Sequence, residues 1–251
     1  MILHQIAPKC EDNWHPIWKQ CRTSWLNNYT ELMLWGDEEI DELIDMCYPQ
    51  YADFYHALPQ LIMKIDLVRY AILHKFGGIY ADMDMYCYKN FESDLKPGIN
   101  LVGSWAEKET VQNSLMASTN SGNSFWIDCI ENSRDIFESL DSPGTEQVLY
   151  IAGPIQLTNF IKDQDVHVLP TEFFNNDMLF YSPDTRTKHM LTGVWGNAKK
   201  HTTKEFDNIY KNWRGIDVSN FDFKKNYNAK TSSETAPPIP KRIPTPEIRK
   251  R

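Results

Sequence analysis

Residues 61–88 read LIMKIDLVRYAILHKFGGIYADMDMYCY, and the order of this stretch decides the fold class. Leu61, Ile65, Val68 and Ile72 fall at i, i+4, i+7 and i+11, one stripe of a helix turned toward a core. His74 and Lys75 stand in its last turn, where positive charge suits the negative helix end. Gly77–Gly78 then stops it, because glycine accepts the left-handed conformation that ends helices. After the glycines, Ile79, Ala81, Met83 and Met85 alternate with Tyr80, Asp82, Asp84 and Tyr86, the pattern of a strand with two distinct faces. A helix feeding directly into a strand predicts an α/β unit.

Upstream, Ile2–Ile6 is a short apolar segment ended by Ala7–Pro8 and is expected as the first strand. A Trp-rich stretch from Trp14 to Trp25 follows, and Glu31–Trp35 is expected as the second strand. Gly36 breaks it, and Asp37 is the expected cap of a helix in which Ile40, Leu43 and Ile44 recur at helical spacing. Downstream, strands are expected at 100–105, 114–118 and 166–169, with helices at 125–137 and 154–160. Strands alternating with helices in the first half, without an internal repeat, favour one α/β domain over residues 1–225. Residues 226–251 change character: five prolines among Lys241, Arg242, Arg249, Lys250 and Arg251 predict a disordered, basic tail. Its charges could touch acidic lipid or a partner, although a solvated linker is the blander reading.

The 251 residues are 41% hydrophobic and 24% charged, an ordinary globular balance. A net charge of −8 argues against a nucleic-acid binder, which needs a basic surface to displace counterions. Five cysteines, Cys10, Cys21, Cys47, Cys87 and Cys129, are scattered and never form a C-x-x-C pair, so free thiols of a reducing compartment are expected. Met1–Gln5 carries neither a basic n-region nor a sustained apolar run, and no stretch nears the ~20 apolar residues a membrane helix needs. A soluble, cytoplasmic chain is expected, with any membrane contact peripheral and through the basic tail.

On a strand, Asp82 and Asp84 would share one face, roughly 7 Å apart at Cα. Two such carboxylates suit a hard divalent cation that keeps positions open for phosphate oxygens. The triplet alone is weak, since Asp163–Gln164–Asp165 is a second one with no apolar strand before it. Its surroundings add weight. Asp66 and Arg69 lie three residues apart on one helical face, so they are neighbours. They read either as a surface ion pair or as a sugar-hydroxyl acceptor and a phosphate-facing guanidinium converging on the cleft. The side-chain-free Gly77–Gly78 would then let a ligand approach the backbone.

The run Asp66-x-x-Arg69-Tyr70-Ala71-x-Leu73-x-x-x-Gly77-Gly78-x-Tyr80-x-Asp82-x-Asp84 resembles the signature of glycosyltransferase family 32. That family includes yeast mannosyltransferases and bacterial capsule transferases, and is similar here to the large clostridial glucosylating toxins. The resemblance extends over roughly residues 1–215. Ile2–Ile6 resembles its opening Ile-His-Gln-Ile-Trp strand, with Ala7 at the Trp position. Ser24–Trp25, Leu34–Trp35 and Asp37 resemble its early tryptophan motifs. Asn113–Ser114 with Met116–Ser118, and Gly153–Pro154 with Leu157–Thr158, resemble later elements. His189 and Trp195 stand at the spacing of its C-terminal His-His-x-x-x-Ser-Trp motif, with Met190 and Val194 replacing the second His and the Ser.

The resemblance implies a GT-A fold, a Rossmann-like α/β sandwich around a mainly parallel central sheet. It implies a UDP- or GDP-linked sugar donor, retention of anomeric configuration, and a manganese ion for which magnesium can substitute. The acceptor hydroxyl would belong to a glycan, a lipid-linked glycan or a protein. By the same resemblance Asp84 would hold the ion directly, and Asp82 the donor's ribose or sugar, reaching the ion through water. Asp66 and Arg69 would hold the transferred sugar, and Tyr80 would line the cleft. His189 reads either as a structural residue or as a neutral imidazole completing the metal shell. Trp35 could stack on the donor's base or fill the core, and Asn113 could bond the sugar or make ordinary turn contacts. His4, in the opening strand, joins the donor-binding set. Two rivals stand beside this reading: a haloacid-dehalogenase-like phosphatase using the Asp-x-Asp strand, and a non-catalytic nucleotide-sugar-binding module. Against the phosphatase, Met85–Tyr86 follows the pair where Thr or Val would be expected.

Overall fold

The computed structural model describes residues 1–104, 110–141, 143–144, 147–174, 184–190 and 192. Trp195 and the tail at 226–251 lie outside the described residues. The elements run β1 (Leu3–Ile6), α1 (Pro16–Leu26), β2 (Leu32–Trp35), α2 (Asp37–Cys47), α3 (Pro49–Ala57), α4 (Leu61–Phe76), β3 (Gly78–Ala81) and β4 (Met85–Cys87). They continue with β5 (Ile99–Gly103), β6 (Val111–Ser118), α5 (Ser124–Glu138), α6 (Val148–Ile151), α7 (Pro154–Phe160), β7 (Val166–Leu169), α8 (Thr171–Phe174) and β8 (Thr187–His189).

Six strands form the central sheet in the order β2-β1-β3-β6-β5-β7, and β4 pairs with β8 in a small second sheet. β1 runs parallel to β2 and β3, and β5 parallel to β7, whereas β6 is antiparallel to both of its neighbours. The sheet is thus largely parallel and flanked by helices, the Rossmann-like GT-A architecture that the sequence led us to expect. Alternation along β3 and β6 sends side chains to two cores. Tyr80 and Met116 face a core shared with α2, α3, α4, α5 and α7. Ile79, Ala81, Leu115 and Ala117 face a second core with Trp25, Met85, Cys87, Phe91 and Phe174. All five cysteines are unpaired, with Cys21, Cys87 and Cys129 buried. Among the described residues no helix is long and apolar enough to cross a membrane.

Four expectations change. The stripe Leu61–Ile72 understates α4, since every residue from Asp66 to Leu73 is buried and the exposed residues, Leu61, Lys75 and Phe76, lie at its two ends. The helix is central, so its polar residues had to find partners inside. Asp37 is the first residue of α2 rather than its cap; Gly36 takes the cap position and its N–H donates to Glu39 Oε2 at 3.0 Å. Gly77 and Gly78 do have positive φ, 63° and 90°. Their missing side chains, however, admit protein rather than ligand: a Cβ on Gly78 would meet the Ile2 carbonyl and His4, and one on Gly77 the backbone of Ser118–Ser121.

The fourth concerns the carboxylate pair itself. The strand stops at Ala81, and Asp82–Asp84 is a turn rather than the two-faced strand that alternation suggested. The Asp82 N–H still donates to Ser114 O at 2.8 Å, continuing the ladder, but the Met85 N–H turns back to the Asp82 carbonyl at 2.9 Å. Met83 stays on an apolar side through the turn, packing beside Ala7 and Trp14.

Candidate metal and sugar-donor site

The site begins with α4. Its buried turn carries Asp66 and Arg69, each 4% exposed and joined at 2.9 Å between Asp66 Oδ1 and Arg69 Nη1. Arg69 Nη2 reaches Asp82 Oδ1 at 3.0 Å, so one guanidinium ties the helix to the end of β3. Its planar fork suits that task, because the two nitrogens serve different acids at once. Arg69 Nη1 also donates to the Asn113 carbonyl at 3.0 Å, and the guanidinium lies 5.0 Å from the Tyr80 ring centre. The Asn113 amide donates to Asp66 Oδ1 at 3.0 Å, and the Tyr80 hydroxyl to Asp82 Oδ1 at 2.8 Å. The surface ion pair is therefore excluded: the pair is interior and networked. Arg69 Nε is buried without a partner among the described residues.

Asp84 belongs to a second group. β8 lies antiparallel on β4 with His189 opposite Met85, which delivers the imidazole to the residue just before Met85. His189 Nε2 lies 3.2 Å from Asp84 Oδ1. The Thr192 N–H and hydroxyl donate to Asp84 Oδ2 at 2.8 and 2.9 Å, and the Met190 N–H donates to the Asp84 carbonyl at 2.9 Å. α1 holds the other side of β4: the Trp25 indole N–H donates to Met85 O at 2.7 Å, and the Cys87 N–H to Ser24 Oγ at 2.8 Å. The Ser24–Trp25 motif thus fixes the strand that follows the carboxylates.

One oxygen from each of Asp82 and Asp84 and one nitrogen of His189 all lie within 4.8 Å of one another. Carboxylate oxygens with an imidazole form a donor set for a divalent ion. Burial pushes the Asp66 carboxyl up to about 7 and raises that of Asp82 as well, with Arg69 pulling each back. Burial would also raise Asp84, but His189 and then Thr192 outweigh it and hold the carboxyl down at about 2. Burial depresses His189, and Asp84 more than restores it, leaving it above its ordinary value.

The structure thus brings Asp66, Arg69, Tyr80, Asp82, Asp84, Asn113 and His189 into one linked network. It does not bring His4 or Trp35 there. His4 is fully buried with one ring nitrogen 3.1 Å from the Gly77 carbonyl, and its other nitrogen accepts from the Trp35 indole at 3.3 Å. Both rings pack on Phe76, so they fasten β1 and β2 to the end of α4. Gln112, Ser114 and Thr192 were given no role by the sequence. Gln112 and Ser114 flank Asn113, and Thr192 follows His189 by three residues; proximity to those two was the available signal.

A GT-A fold with a buried carboxylate–imidazole cluster at the end of β3 defines a glycosyltransferase-like protein with a candidate metal site. Residues 12–121 match the family model described as glycosyltransferase sugar-binding region containing DXD motif. Inositol phosphoceramide mannosyltransferase 3 of Schizosaccharomyces pombe is 37% identical over 93 residues, covering 36% of this chain and 26% of that protein. Inositol phosphoceramide mannosyltransferase 1 of the same yeast is 31% identical over 91 residues, covering 35% of this chain and 28% of that protein. The chain therefore matches only about a quarter of the length of these curated relatives. Among solved structures, PaToxG glycosyltransferase superposes with a TM-score of 0.50 at 15% identity, covering 90% of this chain and 82% of that one. That likeness is one of fold. The chain is related, over the matched segment, to DXD-motif mannosyl- and glycosyltransferases.

Proposed function

We propose that the chain is a metal-dependent retaining glycosyltransferase of the family 32 kind. It would move a hexose from a UDP- or GDP-linked donor to a hydroxyl of a glycan, lipid-linked or protein acceptor. The observation that carries this reading is the meeting of Asp82, Asp84 and His189 beside Arg69 at the end of β3. The family match over residues 12–121, which contains both acids, supports it.

Asp84 and His189 would hold the ion, with Asp82 at its edge or on the donor's ribose or sugar. Mn²⁺ suits a mixed oxygen and nitrogen set, and Mg²⁺ is the alternative. Such an ion, when bound, offsets the charge that develops on the leaving diphosphate. Asp66, interior and already oriented by Asn113, accepts hydroxyl hydrogen bonds from the transferred sugar. Arg69 keeps both acids in place beside the proposed donor site. In the transfer, the bond between the anomeric carbon and the diphosphate oxygen breaks, and a bond to the acceptor oxygen forms on the same face. The acceptor's proton passes to the departing phosphate oxygen, so no separate protein base is required.

The phosphatase alternative needs a free nucleophilic oxygen on Asp82. Asp82 Oδ1 is held by Arg69 and by Tyr80, and Met85–Tyr86 follows the pair where such a site wants Thr or Val, which disfavours it. The test is nucleotide release from a panel of UDP- and GDP-hexoses, with and without Mn²⁺. The names of the yeast relatives place a mannosyl donor and an inositol phosphoceramide acceptor first in that panel. Release should depend on Mn²⁺ and vanish in Asp84→Ala; full turnover in that variant would sink the assignment. Phosphate release from a simple ester without any sugar donor would favour the phosphatase, and donor binding without turnover the binding module.

A further inference from the structure

β6 touches both halves of the site through consecutive residues. Ser114 O receives the Asp82 N–H, Asn113 addresses Asp66 and Arg69, and Gln112 lies against His189. The last contact has a chemical consequence. His189 Nδ1 is 3.3 Å from Gln112 Oε1, and the Ser114 hydroxyl donates to that same oxygen at 3.0 Å. Gln112 and Ser114, two apart on one strand, share a face, so the two contacts are geometrically linked.

An imidazole can ligate a metal through one nitrogen only if that nitrogen carries the lone pair. The opposite orientation of the Gln112 amide would present N–H groups to Nδ1 and force the proton onto Nε2, pointing it at Asp84. The orientation of the Gln112 amide therefore biases which ring nitrogen of His189 is free to serve as a ligand. With the oxygen facing Nδ1, a proton belongs on Nδ1, so Nε2 is the nitrogen that would give up its proton to ligate.

Resting on the metal-centre reading above, we infer that Gln112 is a positioning residue for His189. Its Oε1, pinned by Ser114, holds the imidazole in the Nδ1–H tautomer and aims the Nε2 lone pair between the Asp82 and Asp84 carboxylates. Outer partners of this kind commonly govern metal affinity by about 10- to 100-fold.

The experiment is Mn²⁺ binding, followed by the electron paramagnetic resonance of the free ion, with no nucleotide sugar present. Wild type, His189→Ala, Gln112→Met, Gln112→Glu and Ser114→Ala are compared, each with its melting temperature. Gln112→Met, which lacks the acceptor oxygen, should weaken binding by about 10- to 100-fold. Gln112→Glu keeps an acceptor oxygen and should bind at least as tightly as wild type. Ser114→Ala, which frees the amide to turn without touching His189, should weaken binding in the same direction and decides the matter if Gln112→Met does not fold. The imidazole-nitrogen coupling to bound Mn²⁺ should be lost in His189→Ala and diminished in Gln112→Met. Wild-type affinity in a folded Gln112→Met, alongside weakened His189→Ala, would overturn the role of Gln112 alone. No binding by wild type, or no effect of His189→Ala, would instead overturn the metal centre on which it rests.

Discussion

Arg69 Nη2 and Asp82 Oδ1 lie 3.0 Å apart, joining the middle of a buried helix to the residue just after a central strand ends. The same guanidinium holds Asp66 at 2.9 Å. The network therefore makes the placement of Asp82 depend on a residue thirteen positions earlier, and it explains why two acids and a cation are tolerated with so little exposure. Each charge is compensated by an opposite one or by hydrogen-bond donors, which is the condition for keeping charge inside a protein.

Removing the cation should therefore do more harm than removing a surface ion pair. Arg69→Met leaves Asp66 and Asp82 buried without their partner, and a loss of about 3 to 5 kcal/mol is expected from breaking a buried pair on one side. Arg69→Lys supplies a point charge that cannot bridge both acids and the Asn113 carbonyl, so it should fall between Arg69→Met and wild type. Denaturant midpoints of the three proteins at pH 7 check this. Equal midpoints would mean that the network contributes nothing to stability.

Tyr80→Phe separates the ring from the hydroxyl. The ring stays over the Arg69 guanidinium, while the donor to Asp82 Oδ1 is lost. A hydrogen bond to a charged group contributes about 1.5 to 3 kcal/mol, so the midpoint should fall by an amount in that range. If Asp82 contacts the donor as proposed, kcat/KM for nucleotide release should fall roughly tenfold, the equivalent of 1.4 kcal/mol. An unchanged kcat/KM would place Asp82 outside the donor contacts.

What could be read in advance follows from sequence distance. Asp66, Arg69, Tyr80, Asp82 and Asp84 fall within one continuous helix-and-strand run, and helical spacing with strand alternation already put them together. The turn at Asp82–Asp84 was hidden because Met83 stays apolar-facing through it, which imitates a strand. Gln112 and Thr192 bind the site across separations of 77 and 108 residues, which no periodicity can report. His189 was visible only through its likeness to a family motif. The misplaced reading of Gly77–Gly78 has a similar origin: their left-handed φ was legible, but the neighbour filling the vacant space, β1, comes from the far end of the chain.

His4 makes a pH-dependent contribution with a definite sign. Burial lowers its folded value from 6.5 to about 4, against the opposing pull of the Gly77 carbonyl. The unfolded chain thus binds more protons than the folded one between those values. Stability contributed by neutral His4 is complete above pH ~6.5 and is lost as pH falls toward 4, by about 3 kcal/mol in all. In His4→Phe the same interval should show a shallower dependence of unfolding free energy on pH. Equal slopes in the two proteins would show that His4 accepts its proton in the folded state without penalty.

The two glycines Gly78 and Gly98 allow backbone strain to be separated from crowding. Both have strongly positive φ, 90° and 95°. A Cβ on Gly98 would meet nothing within 4 Å, whereas one on Gly78 would strike the Ile2 carbonyl of the neighbouring strand. Gly98→Ala should therefore show the conformational penalty alone, about 1 to 3 kcal/mol. Gly78→Ala adds a displacement of β1, which carries His4 and pairs with both β2 and β3. It should exceed Gly98→Ala by at least about 1 kcal/mol, in line with the strain of overpacking. Because β1 lies beside β3, the strand that leads into Asp82, Gly78→Ala should also weaken Mn²⁺ binding, while Gly98→Ala leaves it unchanged. Equal destabilisation by the two variants would mean that β1 shifts freely, and that the glycine pair serves only to end α4.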